Sequence, residues 1–332
     1  MHVLVIGGNR FVGRELAWRL LAGGHRVTLF NRGRLPDPFG SRAERLVGDR
    51  TTDDFPRLLA GRRFDAAVDF AAFRGEDARQ AVSVLAGNVG HYVVVGSGQV
   101  YLVRDGAPRP AREADYPGPL LPAPRDPEDR REWDYGMGKR AVEDTLVEYW
   151  EARRFPSTRL RIPMVNGERD HFRRLEGYLW RLLDGGPVLL PDGGDRPLRH
   201  VYAGSVVRAI VALLGRADTF GEAYNLAQDE TPTLAQLLAL AAEALGATPR
   251  LVPVLAAGLR DVGLDPAQVS PFSGRWTSFI DPARARDELG FRHEPLASYL
   301  GRIVAAFLAH PPDEPPPGYA SRAAEVALAG GS

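Results

Sequence analysis

The segment Tyr135-Gly136-Met137-Gly138-Lys139 sets a phenol and an ammonium four residues apart. Four residues are about one α-helical turn, so both side chains leave the same face of a helix that this segment is expected to open. A cation so positioned favours phenolate, and the phenol is expected to fall below its ordinary pKa of about 10. Tyr135 then serves as an acid/base group near neutral pH. A further hydroxyl, Ser97, follows the apolar run Tyr92 to Val95. Open α/β sheets bind ligands at the C-terminal edges of their strands, and there the Ser97 hydroxyl can bond the reacting oxygen.

Proton transfer of this kind pairs with hydride transfer, which requires a carrier. Directly after the apolar run Val3 to Ile6 comes Gly7-Gly8-Asn9-Arg10-Phe11-Val12-Gly13, leading into a helical pattern of Leu16, Ala17, Leu20 and Leu21. Strand, glycine turn and helix are the context of a dinucleotide fingerprint. Glycines let the backbone approach a pyrophosphate, and the helix N-terminus stabilises its charge. Gly7, Asn9, Arg10, Phe11, Val12 and Gly13 are thus candidate cofactor contacts, although Arg10 replaces the middle glycine of a G-x-x-G-x-x-G spacing.

The run Val27 to Phe30 exits into Asn31-Arg32-Gly33-Arg34. A carboxylate at this exit would bond a ribose 2′-hydroxyl and repel a 2′-phosphate. None is present, and Arg10, Arg32 and Arg34 offer guanidinium groups, so NADP is expected ahead of NAD, with Asn31 and Arg32 as contacts. The plainer alternative is that Arg32 and Arg34 are solvated loop charges.

Short apolar runs at Val3-Ile6, Val27-Phe30, Arg45-Val47, Ala66-Phe70, Tyr92-Val95 and Thr158-Leu160 alternate with helical patterns. That rhythm predicts an α/β doubly wound parallel sheet of Rossmann type over residues 1–165, with 200–228 returning to it. Residues 108–127 hold seven prolines and are expected to form a long loop. Residues 166–199 and 229–310 form an expected smaller substrate-binding domain, and 311–332, rich in Pro, Gly and Ala, an appended tail.

Composition narrows the function. Forty-two basic residues balance 42 acidic ones, so bulk charge offers no attraction for nucleic acid or anionic membranes. Cysteine is absent, which removes disulfides, thiolate nucleophiles and cysteine-held metals, and the histidines show no paired ligand spacing. No export signal or membrane span is apparent, so a cytoplasmic enzyme acting on a small molecule is expected.

In order along the chain, the Gly7-Gly13 loop, Gly48-Asp49, Phe70-Ala71-Ala72, Ser97 four residues before Tyr101, Tyr135/Lys139 and Arg161 to Gly167 resemble the extended short-chain dehydrogenase/reductase family of NAD-dependent epimerases and dehydratases. The resemblance spans about residues 1–310. It implies that Tyr135 is the acid/base, that Lys139 holds the nicotinamide ribose, and that Ser97 orients the substrate oxygen. Asp49 and Arg50 would lie toward the adenine end, and Phe70, Ala71, Ala72 and Pro163 would complete the cofactor contacts. Gln99, Asn166, Arg196 and Arg199 are the candidates for substrate, with a nucleotide sugar and a homodimer as the family expectation. Sugar 4,6-dehydratases of the family carry an Asp-Glu pair where this chain has Gly98-Gln99, so dehydration is not expected, leaving epimerisation or carbonyl reduction.

The wording Gly-Gly-x-Arg-Phe with Thr28-Leu29-Phe30-x-Arg32-Gly33 also resembles a divergent branch of the family that includes chloroplast stem-loop RNA-binding proteins. Two further alternatives stay open: an NADPH-dependent reductase of a non-nucleotide carbonyl compound, and a non-catalytic NADP sensor.

Overall fold

The structure, a computed structural model, describes residues 1–330. It separates into two compact units, Met1–Pro163 with Ala203–Ala227 and Ser278–Arg292, and Met164–Tyr202 with Gln228–Thr277 and the chain from His293 onward.

In the first unit, strands β1 (His2–Ile6), β2 (Arg26–Asn31), β3 (Glu44–Val47), β4 (Ala66–Asp69), β5 (Tyr92–Ser97) and β6 (Ser157–Ile162) join Ala223–Asn225 in a seven-stranded sheet. Its order is Ala223–Asn225, β6, β5, β4, β1, β2, β3, and every neighbouring pair is parallel. The winding reverses at β1, between β2 and β4, which is where such sheets open a ligand crevice. Register pairs Ile6 with both Phe30 and Asp69, so the glycine loop, the exit of β2 and the Phe70-Ala72 turn emerge side by side.

Helices α1 (Phe11–Ala22), α2 (Asp54–Leu59), α3 (Gly75–Leu85), α4 (Gln99–Leu102) and α5 (Pro127–Arg153) connect these strands. Val3, Leu4 and Val5 are each fully buried, as consecutive apolar residues must be when helices cover both faces. Leu4 and Ile6 share a core with Ala78 and Val82 of α3 and Val142 and Leu146 of α5.

Helix α5 begins at Pro127, two turns before the start expected at Tyr135. Asp126 caps it, accepting from the backbone N–H of Glu128 and Asp129, and Pro127 suits the first helical position. The segment Ser278–Arg292, expected with the second domain, clusters with the first: Asp281 donates its N–H to the Ala111 carbonyl at 2.8 Å.

The second unit packs helices Arg174–Leu183, Leu234–Leu245 and Leu296–Ala309 around Tyr178, Leu237, Leu238, Tyr299 and Leu300. The expected tail is instead folded over Pro317–Gly330, a short 3-10 turn leading into a helix. Glu325 of that helix is fully buried and pairs with Arg181 at 2.6 Å, while Arg322 pairs with Asp184. Proline and alanine content suggested a loose end, but two ion pairs anchor it. Among the described residues no helix is long and apolar enough to cross a membrane.

Candidate active site

At the C-terminal edge of β1, Gly7 adopts φ +86° and its N–H donates to the Phe30 carbonyl at 2.9 Å. A Cβ on Gly8 would lie 2.5 Å from Val5 Cγ1, and one on Gly13 would lie 2.9 Å from Gly8 Cα, so both glycines are required by close packing. Arg10 has extended backbone (φ −133°), whereas Phe11 enters the helix at φ +41°. The backbone therefore needs no glycine at position 10; what changes there is the exposed guanidinium chain. Helix α1 has neither a side-chain cap nor an acid in its first turn, which leaves its N-terminal N–H groups and dipole suited to a phosphate. Phe70 and Ala71 pack against Gly7, their Cβ atoms 3.5 and 3.4 Å from where its Cβ would stand.

Beyond β2, Arg32 and Arg34 are exposed, and their charges reach Asp49. The carboxyl of Asp49 is held below its ordinary range first by the Thr51 N–H and hydroxyl and then by these guanidinium groups. Asn31 serves the loop through its Oδ1, which accepts from Gly33 N–H and from Arg45 Nε and Nη2, while its Nδ2 has no partner among the described residues. Arg50 is a correction. It is 8% exposed, with Nη1 2.8 Å from Asp69 and Nη2 donating to the Asp77 carbonyl, so its guanidinium belongs to the core.

Ser97 closes β5, and its hydroxyl lies close enough to the Tyr135 phenol of α5 to favour the ionised phenol. Lys139, one turn further along α5, is 3% exposed and donates through Nζ to the Ala72 carbonyl at 2.8 Å and the Val95 carbonyl at 3.3 Å. Burial lowers its pKa to about 8 against the raising influence of Asp69, Glu143 and Asp77. Its ammonium lies 4.6 Å from the ring centre of Phe73, an exposed aromatic residue that the sequence did not mark. Backbone clearance is small here: a Cβ on Gly138 would strike the Phe73 carbonyl.

The phenol departs from expectation. Tyr135 is 38% exposed overall, yet desolvation around its hydroxyl raises the pKa, the Ser97 hydroxyl pulls the other way, and the Glu132 charge raises it again. Lys139 does not dominate because its Nζ is turned to main-chain carbonyls, 5.8 Å from the Tyr135 ring centre. In the protein alone, the surroundings of Tyr135 therefore favour its protonated phenol over phenolate.

Pro163 is buried just past β6. Gln99, expected as a substrate contact, is 8% exposed, and its Nε2 donates to the Glu132 carboxylate and carbonyl. Asn166, Arg196 and Arg199 belong to the second unit. Asn166 is 1% exposed and its Nδ2 is 3.0 Å from His200 Nδ1, so it serves the core of that unit rather than a ligand. Arg196 is exposed and donates to the Gly274 carbonyl, and Arg199 is half-buried. Among the described residues no group of His, Cys, Asp and Glu is arranged to hold a metal ion.

Over residues 3–91 and 83–227 the chain matches the model of the NAD dependent epimerase/dehydratase family. The chain belongs to this family. Its fold is similar to that of a UDP-glucose 4-epimerase from Thermotoga maritima solved with UDP-glucose: TM-score 0.71, 19% identity, covering 93% of this chain and 99% of that one. A dTDP-glucose 4,6-dehydratase from Streptomyces venezuelae, solved with NAD, is as similar, with TM-score 0.71, 20% identity, and coverage of 93% and 98%. In sequence the chain is 26% identical over 258 residues to the chloroplast stem-loop binding protein of 41 kDa b from Arabidopsis thaliana, covering 74% of this chain. It spans 63% of the length of that relative.

Within the family, the set that the sequence anticipated and the fold brings together is Ser97, Tyr135 and Lys139. Asp69, Phe73 and Glu132 were missed. Phe73 directly follows the Phe70-Ala72 turn, and Glu132 precedes Tyr135 by three residues, so helical spacing was an available signal for Glu132.

Proposed function

We propose that the protein is an NAD(P)-dependent epimerase or reductase working on a carbinol or ketone carbon of a sugar nucleotide or similar small molecule. The observation that carries this reading is the convergence of Ser97, at the end of β5, with the Tyr135 phenol, and Lys139 one helical turn away with its Nζ anchored on the Ala72 carbonyl. Tyr135 gives and takes the substrate hydroxyl proton, Ser97 orients the same oxygen, and Lys139 contributes its remaining N–H to the ribose side. A bound nicotinamide supplies or accepts the hydride. The N–H groups from Gly7 to Gly13 hold its pyrophosphate, and Arg10, Arg32 and Arg34 favour the 2′-phosphate of NADP.

A sugar nucleotide is favoured because proteins of the same fold are known with UDP-glucose and with UDP-glucuronic acid. A homodimer in the cytoplasm is the assembly and location we assign. Thermal denaturation with NADPH, NADH and a panel of sugar nucleotides tests the reading, since a specific ligand raises the melting temperature by mass action. No shift with either cofactor would reject it.

One observation favours a second reading, binding of structured RNA: the similarity to a stem-loop binding protein. RNA affinity that falls steeply with salt, with no stabilisation by cofactor, would select it.

A further inference from the structure

A carboxylate stands beside the hydroxyl pair. Gln99 donates its main-chain N–H to Ser97 Oγ at 3.2 Å, and its Nε2 donates to the Glu132 carbonyl at 3.2 Å and to Glu132 Oε2 at 2.5 Å. Glu132 and Tyr135 lie three residues apart on α5, hence on one helix face. Helix α5 presses directly on α4 here: a Cβ on Gly136 would stand 3.0 Å from the Gln99 carbonyl oxygen and 2.7 Å from Val103 Cγ1. The Gln99 carboxamide is thereby caged, and its Nε2 donates twice to Glu132. Among the described residues no cation forms an ion pair with Glu132, so its carboxylate is oriented by a neutral donor.

We infer that Glu132 is a second proton-transfer group of this site, a base for hydrogen on the carbon next to a carbonyl, and that the protein exchanges or inverts that position in a bound keto sugar nucleotide. In the step, the α C–H bond breaks and its proton passes to a Glu132 oxygen. The bonding pair forms the C=C bond, and the carbonyl π pair moves onto oxygen, giving an enolate. Hydrogen bonds from the Ser97 and Tyr135 hydroxyls stabilise that oxygen, a role that suits a phenol whose surroundings keep it protonated. Glu132, its proton exchanged with solvent, returns a proton to the α carbon on the same face and restores the ketone; for inversion solvent water delivers the proton on the opposite face and Glu132 releases its own to solvent. No oxidant or cofactor enters the balance. The inference deepens the proposed function by using the same hydroxyl pair, but it does not depend on hydride transfer.

The test is deuterium uptake from D₂O into a uridine diphosphate 4-ketosugar, followed by NMR with the full-length protein and no added cofactor. The wild type is expected to speed exchange at the carbons flanking the ketone. Glu132→Gln retains an acceptor for Gln99 and should lose about 100-fold in exchange rate without a change in melting temperature. Glu132→Asp, with the carboxylate drawn back by one methylene, should fall between the two and guards against a folding defect in the first variant. Tyr135→Phe should slow exchange less than Glu132→Gln does. Wild-type exchange no faster than buffer, or equal exchange in wild type and Glu132→Gln, overturns the inference. Exchange that depends on Glu132 in a protein unable to bind NAD(H) or NADP(H) supports it and removes only the cofactor part of the proposed function.

Discussion

Lys139 Nζ donates to the main-chain carbonyl of Ala72 at 2.8 Å, tying the helix that carries Tyr135 to the turn after β4. The bond orients the ammonium inward, where burial sets its pKa at about 8 rather than 10.5.

This gives a pH dependence with a defined sign. Between about pH 8 and 10.5 the native chain has shed the Lys139 proton while the unfolded chain still holds it. The unfolded state binds more protons there, so stability gains with rising pH across that window. Below it, both states are protonated and the native state bears the cost of the buried charge. Urea unfolding of wild type against Lys139→Met should show the wild type gaining on the order of 3 kcal/mol relative to the variant from pH 8 to 10.5. A flat difference would contradict the assignment.

Tyr135→Phe should keep cofactor binding and lower turnover by about 10² to 10⁴-fold, because the variant lacks only the proton-carrying oxygen. Ultraviolet difference titration of the cofactor-free protein, wild type minus variant, should show the Tyr135 phenolate above the ordinary tyrosine value of about 10. A phenolate signal near neutral pH would restore the expectation drawn from the Tyr/Lys spacing.

Arg32→Asp should weaken NADPH by about tenfold or more and NADH far less, since the exchange sets a carboxylate against the 2′-phosphate. Titration calorimetry with both cofactors decides this. Equal losses would mean that Arg32 is a solvated loop charge.

Arg181→Met should destabilise the protein by about 3 kcal/mol in urea, because it removes the 2.6 Å ion-pair partner of Glu325, fully buried, and leaves it only Arg322 at 3.3 Å as a charged partner. The double change Arg181→Met with Glu325→Leu should recover most of that loss. If the single variant is as stable as wild type, the C-terminal helix is not anchored by this pair.

Much of the first unit was legible because apolar period reports on burial: consecutive apolar residues at Val3-Ile6 and Tyr92-Val95 require helices on both faces, and the strands formed there. The early start of α5 was also written locally, in Asp126-Pro127-Glu128-Asp129. Arg50 could not be assigned in this way. Its partner Asp69 lies 19 residues away, and only the packing of the chain between β3 and β4 makes that guanidinium a core group. Asn166 failed as a ligand candidate for the same reason: an amide beside a turn looks available until its long-range partner, His200, is known.

The sequence by itself determined the order of the sheet-forming runs, the glycine loop before α1 and the spacing of Tyr135 and Lys139, all of which depend on residues close in the chain. The tertiary structure decided which charges face inward, which way the phenol titrates, and that Glu132 stands beside Ser97 and Tyr135. Those outcomes depend on desolvation and on contacts between distant segments, which local patterns do not encode; for Glu132 helical spacing gave its nearness to Tyr135, but only the packing of α4 on α5 brought it to Gln99 and Ser97.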